Sequence, residues 1–108
     1  MDAVLHAVSD QSRRTVLDVL RQGPATVTEL AGRLPIARPG VSRHLRVLRE
    51  AGLVDVRHEA QFRVYSLRPE PLAEIDDWLG HYRSLWEQRM DALHTEVARR
   101  KRERGSTS

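Results

Sequence analysis

The spacing of apolar positions changes along the chain, and each change marks an element. "VLHAV", residues 4–8, is a short apolar helical segment. In "QSRRTVLDVLRQ", Val16, Leu17, Val19 and Leu20 supply a core-facing stripe, and Ser9 or Asp10 stands where a helix cap is needed. Gly23-Pro24 stops that helix. Thr26 opens a third: with Glu29 it forms T-x-x-E, a capping box ahead of Leu30 and Leu34, and Pro35 closes the segment. A fourth helix follows. With Leu45 at zero degrees, Val41 and Leu48 fall within about 60° of it. Ala51 and Leu53 continue that stripe beyond a stop at Gly52.

The period then drops to two. Val54 and Val56 alternate with Asp55 and Arg57, and after "HEAQ" the residues Phe62, Val64, Tyr65 and Leu67 form a second β-prone run. This predicts a hairpin. Its turn has no Gly or Asn, which leaves the turn type unassigned and the register open by one residue. "RPEPL" breaks the chain before the longest helix, expected over about 70–98. There Leu72, Ile75, Leu79, Tyr82, Trp86, Leu93 and Val97 follow a spacing of three to four, interrupted at Arg89 and Met90 and widened by Trp78 and Leu85. Such a helix is roughly 40 Å long, more than a small domain covers. The surplus predicts a partner helix, most simply that of a second copy, with Leu72, Ile75, Leu79, Tyr82, Trp86 and Leu93 at the interface. Folding back over its own domain is the alternative. The expected organisation is one domain over 1–98 and a basic, disordered tail over 99–108.

Four helices, a hairpin and a long helix make a mainly α fold with a small β-hairpin: a winged helix-turn-helix with a C-terminal dimerisation helix, in which the fourth helix reads DNA.

Composition sharpens this. The chain has 108 residues, 40% hydrophobic and 31% charged, enough for a thin core that favours oligomerisation. Cysteine is absent, which excludes disulfides, thiolate metal sites and cysteine redox sensing. The chain has no membrane-spanning run and no signal-peptide pattern, so the expected place is the cytoplasm. Net charge is +3, but unevenly placed. Residues 1–68 carry eleven Arg against seven acids; 69–98 carry two Arg against seven acids; 99–108 carry five basic groups against Glu103. A basic first part and an acidic helix suggest a nucleic-acid face and a separate scaffold. Solvated surface charge is the plain alternative. Every basic residue but Lys101 is Arg, which suits phosphate and guanine.

The fourth helix begins against local preference. Pro39-Gly40 ordinarily marks a turn, and Ala37 offers no side-chain cap. In a helix-turn-helix the dipeptide becomes the first helical turn, where Pro is tolerated. Pro39, Gly40, Arg43, Arg46, Val47 and Glu50 occupy the face opposite the buried stripe, with Ser42 on the flank and Arg38 at the start. Small groups plus arginines fit a major groove. Arg46 and Arg49 lie farther along, where phosphates are expected. Gly40 is expected to let the backbone approach DNA closely; separately, Gly inside a helix costs up to about 1 kcal/mol, so Gly40→Ala is expected to raise thermal stability. In the hairpin, Arg57, His58 and Arg63 are candidates for a minor-groove or phosphate contact, or plain solvated surface.

"AVSDQSRRTVLDVL", "ELAGRLPIARPGVSRHLRVLREAGLV" and "FRVYSLRPEPL" resemble the signature regions of the ArsR/SmtB family of bacterial winged-helix repressors, the middle block most specifically. The likeness covers about residues 3–95 and is greatest to the cysteine-free, autorepressor-like branch. It implies a homodimer that binds an inverted repeat in double-stranded DNA and represses, often at its own operon. It places Arg38, Pro39, Ser42 and Arg43 at base-facing positions; His44 is adjacent to them, and packing at the helix flank is expected of it rather than DNA contact. The missing Gly at the hairpin tip departs from the family pattern.

The resemblance also raises the question of an effector. The family's cysteine metal site is impossible in "ELAGRL". Asp77 with His81 and Asp91 with His94 are helix-face pairs, but their separations do not match the family's second metal motif, so no metal and no cofactor are expected. A small-molecule pocket near Trp78, Tyr82 and Trp86 is a minority reading, since aromatics at helical spacing are usually core. The effector is left unknown. No Gly-rich phosphate loop and no catalytic Ser-His-Asp context occur, so an enzyme is not expected. The rivals to a specific repressor are a winged-helix protein-interaction module and a weakly specific nucleoid-type DNA binder.

Overall fold

The computed structural model of the chain describes residues 1–106. In order they form α1 (Asp2–Val8), α2 (Gln11–Gln22), β1 (Ala25–Thr26), α3 (Val27–Arg33), α4 (Arg38–Glu50), β2 (Val54–Glu59), β3 (Phe62–Leu67) and α5 (Leu72–Ser106). The five helices and the β2–β3 hairpin are those the pattern predicts. β1 is an addition: two residues are too few to show a period. Ala25 pairs with Tyr65 and Thr26 with Val64, so the sheet runs β1-β3-β2, all antiparallel.

Local chemistry sets the helix ends. Ser9 and Asp10 were both candidate caps for α2, and Asp10 takes the role: its carboxylate accepts the Arg13 amide N–H at 3.0 Å. Ser9 instead donates its hydroxyl to the His6 carbonyl at 2.7 Å. Arg13 and Arg14 donate to the last carbonyls of α1, at 2.7 Å to Ala7, 3.0 Å to His6 and 2.8 Å to Val8. Two arginines of the basic half thus serve the α1–α2 junction. At α3 the capping box forms as predicted: the Glu29 amide donates to Thr26 Oγ1 at 3.2 Å and the Thr26 amide to Glu29 Oε1 at 3.3 Å.

Gly52 ends α4 in a Schellman turn. It sits at φ 79°, its N–H donates to the Arg49 carbonyl at 2.9 Å, and the Leu53 N–H reaches the Leu48 carbonyl at 3.0 Å. Leu48 and Leu53, the apolar pair that accompanies this motif, are both fully buried.

The core of Met1–Glu74 gathers Val4, Ala7, Val16, Leu20, Leu30, Val41, Leu45, Leu48, Leu53, Val54 and Tyr65, with no buried polar or charged residue among those described. Leu17 and Val19 are only half-buried. With Tyr65 the one side chain in it that carries a polar atom, this core rests for its stability on apolar burial.

This first compact unit ends inside α5, at Glu74, and the residues from Ile75 form a second. The sequence placed the end of α5 near 98, with a frayed tail beyond; the helix instead continues to Ser106. Glu96 pairs with Arg99 at 2.7 Å and Arg100 at 3.2 Å, and Arg99 lies 4.0 Å from Glu103. Such one-turn pairs support a helix that has little apolar content. Thr107 and Ser108, the rest of the expected tail, lie outside the described residues.

Candidate nucleic-acid interface

α4 starts as its sequence predicts. Ala37 is the N-cap without a side-chain bond, Arg38 and Pro39 are the first two helical residues, and the Val41 N–H closes the first turn on the Ala37 carbonyl at 3.0 Å. The helix buries Val41, Leu45 and Leu48. Arg38, Pro39, Ser42, Arg43, Arg46, Arg49 and Glu50 stay exposed, while Val47, expected on the open face, is half-buried.

Gly40 differs from expectation. It is half-buried, and a Cβ built on it would lie 2.8 Å from Cγ2 of Ile36. The missing side chain therefore serves close packing inside the turn before α4. That overturns the basis for expecting Gly40→Ala to stabilise: the added methyl meets a β-branched side chain that has little freedom to move.

Between α4 and the sheet lies a trough of about 490 Å³ lined by Val27, Pro39, Ser42, Arg43, Arg46, Arg49, Arg63 and Tyr65. A second hollow of about 240 Å³ shares Val27 and Arg63 with it and extends past Thr26, Thr28, Gln61 and Phe62 to Arg38. No carboxylate lines either one. Arg38, Arg43, Arg46, Arg49 and Arg63 have no ion pair or side-chain hydrogen bond among the described residues, so five positive charges face solvent uncompensated. An open groove of guanidinium groups is a site for phosphate oxygens and base edges. The sequence missed Val27 and Tyr65 as lining because they come from α3 and β3, and only the packing of those elements against α4 brings them there.

The two hairpin arginines part company. Cross-strand partners share a face, and the register pairs Val54 with Leu67, Val56 with Tyr65 and His58 with Arg63. Arg63 is therefore on the face of buried Tyr65, toward the trough. Arg57 pairs with Val64 on the other face, where its Nε sits 2.7 Å from Glu59 Oε1. Nothing local in the string separates the two; the strand register does. The tip is the two-residue loop Ala60-Gln61, and Ala60 adopts φ 54°, a conformation that costs a residue with a side chain.

His44 is half-buried on α4, with Nδ1 3.9 Å from the Asp10 carboxylate. The Asp10 carboxyl is held below the usual carboxylate range, first by the Arg13 amide N–H; desolvation works against this, and the charges of Arg13 and His44 and the Ser12 amide add to the lowering.

On α5, Tyr82, Trp86 and Leu93 are exposed, together with Trp78, Leu85, Met90 and Val97; Leu72, Ile75 and Leu79 are half-buried. Trp78 and Tyr82 meet edge to face, with ring centroids 5.3 Å apart. Asp77, His81, Asp91 and His94 are exposed along the same helix, and the described residues hold no group of three or more possible metal ligands. No described helix is long and apolar enough to cross a membrane.

A family model described as "Bacterial regulatory protein, arsR family" matches residues 10–56, from the α2 cap through the first half of β2. HTH-type transcriptional regulator Rv2034 of Mycobacterium tuberculosis is 45% identical over 74 residues, covering 68% of this chain and 69% of that protein. Transcriptional repressor SdpR of Bacillus subtilis is 34% identical over 82 residues, 76% of this chain and 91% of the repressor. Among solved structures, the crystal structure of an ArsR family transcriptional regulator superposes with a TM-score of 0.70 at 32% identity, covering 80% of this chain and 94% of that one. The homodimeric winged helix-turn-helix DNA-binding domain of Mb0332 from Mycobacterium bovis gives 0.62 at 25% identity, covering 77% of each chain.

Proposed function

The chain belongs to the arsR family of bacterial regulatory proteins, and from that membership we propose that it is a homodimeric, sequence-specific repressor acting on an inverted-repeat operator, its own promoter included. The observation that carries this reading is the trough with its adjoining hollow: Arg43, Arg46, Arg49 and Arg63 line the first and Arg38 the second, none of them paired among the described residues and no carboxylate lining either, on α4 and β3 of a helix-turn-helix. In the proposed complex α4 enters the major groove. Arg38, Pro39, Ser42 and Arg43 face bases, where Arg43 can hold guanine O6 and N7 together. Arg46 and Arg49 take phosphates. The apolar face of α5, from Leu72 through Leu93, joins two copies, which sets half-sites roughly one helical turn apart. Its exposed side chains include two tryptophans and a tyrosine, residue types enriched at the centres of protein interfaces. A regulator of this kind works on the chromosome, in the cytoplasm. The relatives named as regulators and a repressor support the reading.

Selection of bound duplexes from a random pool, followed by titration of the full chain, tests it. The expected result is binding in the nanomolar range that excess unselected DNA does not displace, by a species with twice the chain mass in light scattering. A monomer with no DNA affinity points instead to a protein-interaction module. Equal affinity for selected and unselected DNA points to a nucleoid-type binder.

A further inference from the structure

The last turns of α5 carry an inference that rests on the dimer reading above. We propose that the basic turns after Val97 clasp the acidic start of α5 in a second copy, and so hold the two helices antiparallel in one register. These turns lie beyond the family model, which ends at residue 56, and beyond the stretch of likeness, which ends near residue 95. Their role is therefore argued from this chain's own residues.

The exposed apolar side chains of α5 fall on one face about 140° wide. Turned end for end about the midpoint between Glu87 and Gln88, that face maps onto itself: Trp78 onto Val97, Tyr82 onto Leu93 and Leu85 onto Met90. Trp86 maps onto Arg89, which sets a guanidinium against an indole face. A two-fold pair needs a patch that is complementary to itself in this way.

Charge falls into place in the same register. Asp76 and Lys101 flank the apolar face on the same side, one near each end, and both are exposed. The antiparallel register brings Lys101 within about 3 Å, along the axis, of the partner's Asp76. By symmetry Asp76 meets the partner's Lys101. Asp76 also pairs with Arg83 of its own helix, whereas Lys101 has no ion pair among the described residues. The wider pattern agrees: residues 69–98 carry seven acids against two Arg, and 99–108 carry five basic groups against Glu103. A parallel pair sets acidic turns beside acidic turns and basic beside basic, which repel; an antiparallel pair sets each beside its opposite. DNA is the competing occupant for the basic turns. The acids on the same helix, in register with the apolar face, favour the second copy.

The chain has no cysteine, so introduced ones report orientation without background. The full chain is made with Asp76→Cys, with Lys101→Cys and with both, and each is treated with a short bismaleimide. The double variant is expected to form covalent dimers. The single variants are not, because like positions of this antiparallel pair lie roughly 35–40 Å apart. Covalent dimers from a single variant mean parallel helices and overturn the proposal. Analytical ultracentrifugation then reads the clasp, on wild type, Lys101→Glu, Asp76→Lys and an equal mixture of those two, at low and high salt. Each variant alone should dissociate roughly three- to tenfold more readily at low salt, since two attractions become repulsions. The mixture should regain wild-type affinity, and high salt should shrink every difference. Wild-type affinity in both variants, or no rescue in the mixture, removes the clasp. A Lys101→Glu chain that dimerises as wild type but binds DNA with a lower salt slope assigns the basic turns to DNA instead. A monomeric wild-type chain removes the dimer reading and this inference with it; a dimer that fails only the cross-linking or rescue test leaves that reading intact.

Discussion

At the scale of single residues, small side chains decide more than the charged ones. Gly40 has the Cβ direction filled by Ile36, so Gly40→Ala forces a contact of 2.8 Å to give way. Helix propensity favours Ala by up to about 1 kcal/mol, and overpacking costs about 1–3 kcal/mol, so the net effect is a loss. The variant should melt below wild type, and removing Cγ2 with Ile36→Ala in the same chain should cancel the added penalty in a double-mutant cycle. Ala60 is the reverse case. It holds φ 54° at the hairpin tip, where Gly pays no steric cost. Ala60→Gly is expected to stabilise by roughly 0.5–1 kcal/mol, the left-handed penalty less the entropy of Gly; an unchanged denaturant midpoint would count against strain there. Asp10 gives a pH dependence. Its folded pKa is depressed, so its contribution is present above the unfolded carboxylate value and is lost as pH falls through the lower folded one. Asn caps a helix about as well but does not titrate. Asp10→Asn should therefore melt close to wild type at neutral pH and show a flatter decline below about pH 4.

Among the elements, α4 shows how one helix divides its length between two kinds of contact. Arg43 lies near the N-terminal end beside Ser42 and Pro39, and Arg46 one turn on. In the proposed complex, Arg43→Ala should reduce discrimination between the selected duplex and random DNA by about 1–3 kcal/mol, whereas Arg46→Ala should weaken both alike and lower the salt slope by about 0.9. Equal, non-discriminating losses from both variants would remove Arg43 from the base-reading role. The sequence marked α4 well because its signals agree: an apolar stripe, a Pro in the first turn and a Gly stop. It marked the hairpin less well. Two short runs fixed that β2 and β3 exist, but without a turn signature they left the register open, and the register is what separates Arg63 from Arg57. β1 could not be foreseen, since its two residues are a strand only because β3 lies alongside.

For the whole molecule, the proposed assembly turns on α5. Trp78, Tyr82, Leu85, Trp86, Met90, Leu93 and Val97 are each more than two-fifths exposed, with Trp86 at 57%. Water-facing apolar groups in such number along one helix mark an association surface. Trp86→Glu should lower the mass in light scattering toward that of one chain, with dimer affinity falling at least about tenfold while the melting of Met1–Glu74 is retained. A variant that stays dimeric would move the interface elsewhere.

The sequence by itself determined what is local or periodic. Spacing set the five helices and the hairpin, Thr26 with Glu29 set a capping box, and Gly52 set a helix end, because each of these depends on atoms within a few residues. It also pointed to the family, through three blocks of which the one spanning α3 and α4 is the most specific. Tertiary structure alone decided which arginines are free. Arg13 and Arg14 bind the carbonyls that end α1, Arg68 meets Asp55 across the hairpin, and Arg38, Arg43, Arg46, Arg49 and Arg63 have no such partner among the described residues. All of these are the same residue in the string. What separates them is the partner brought within reach by folding, and at charge–charge distances that partner decides whether a guanidinium is spent on the protein or left for a ligand.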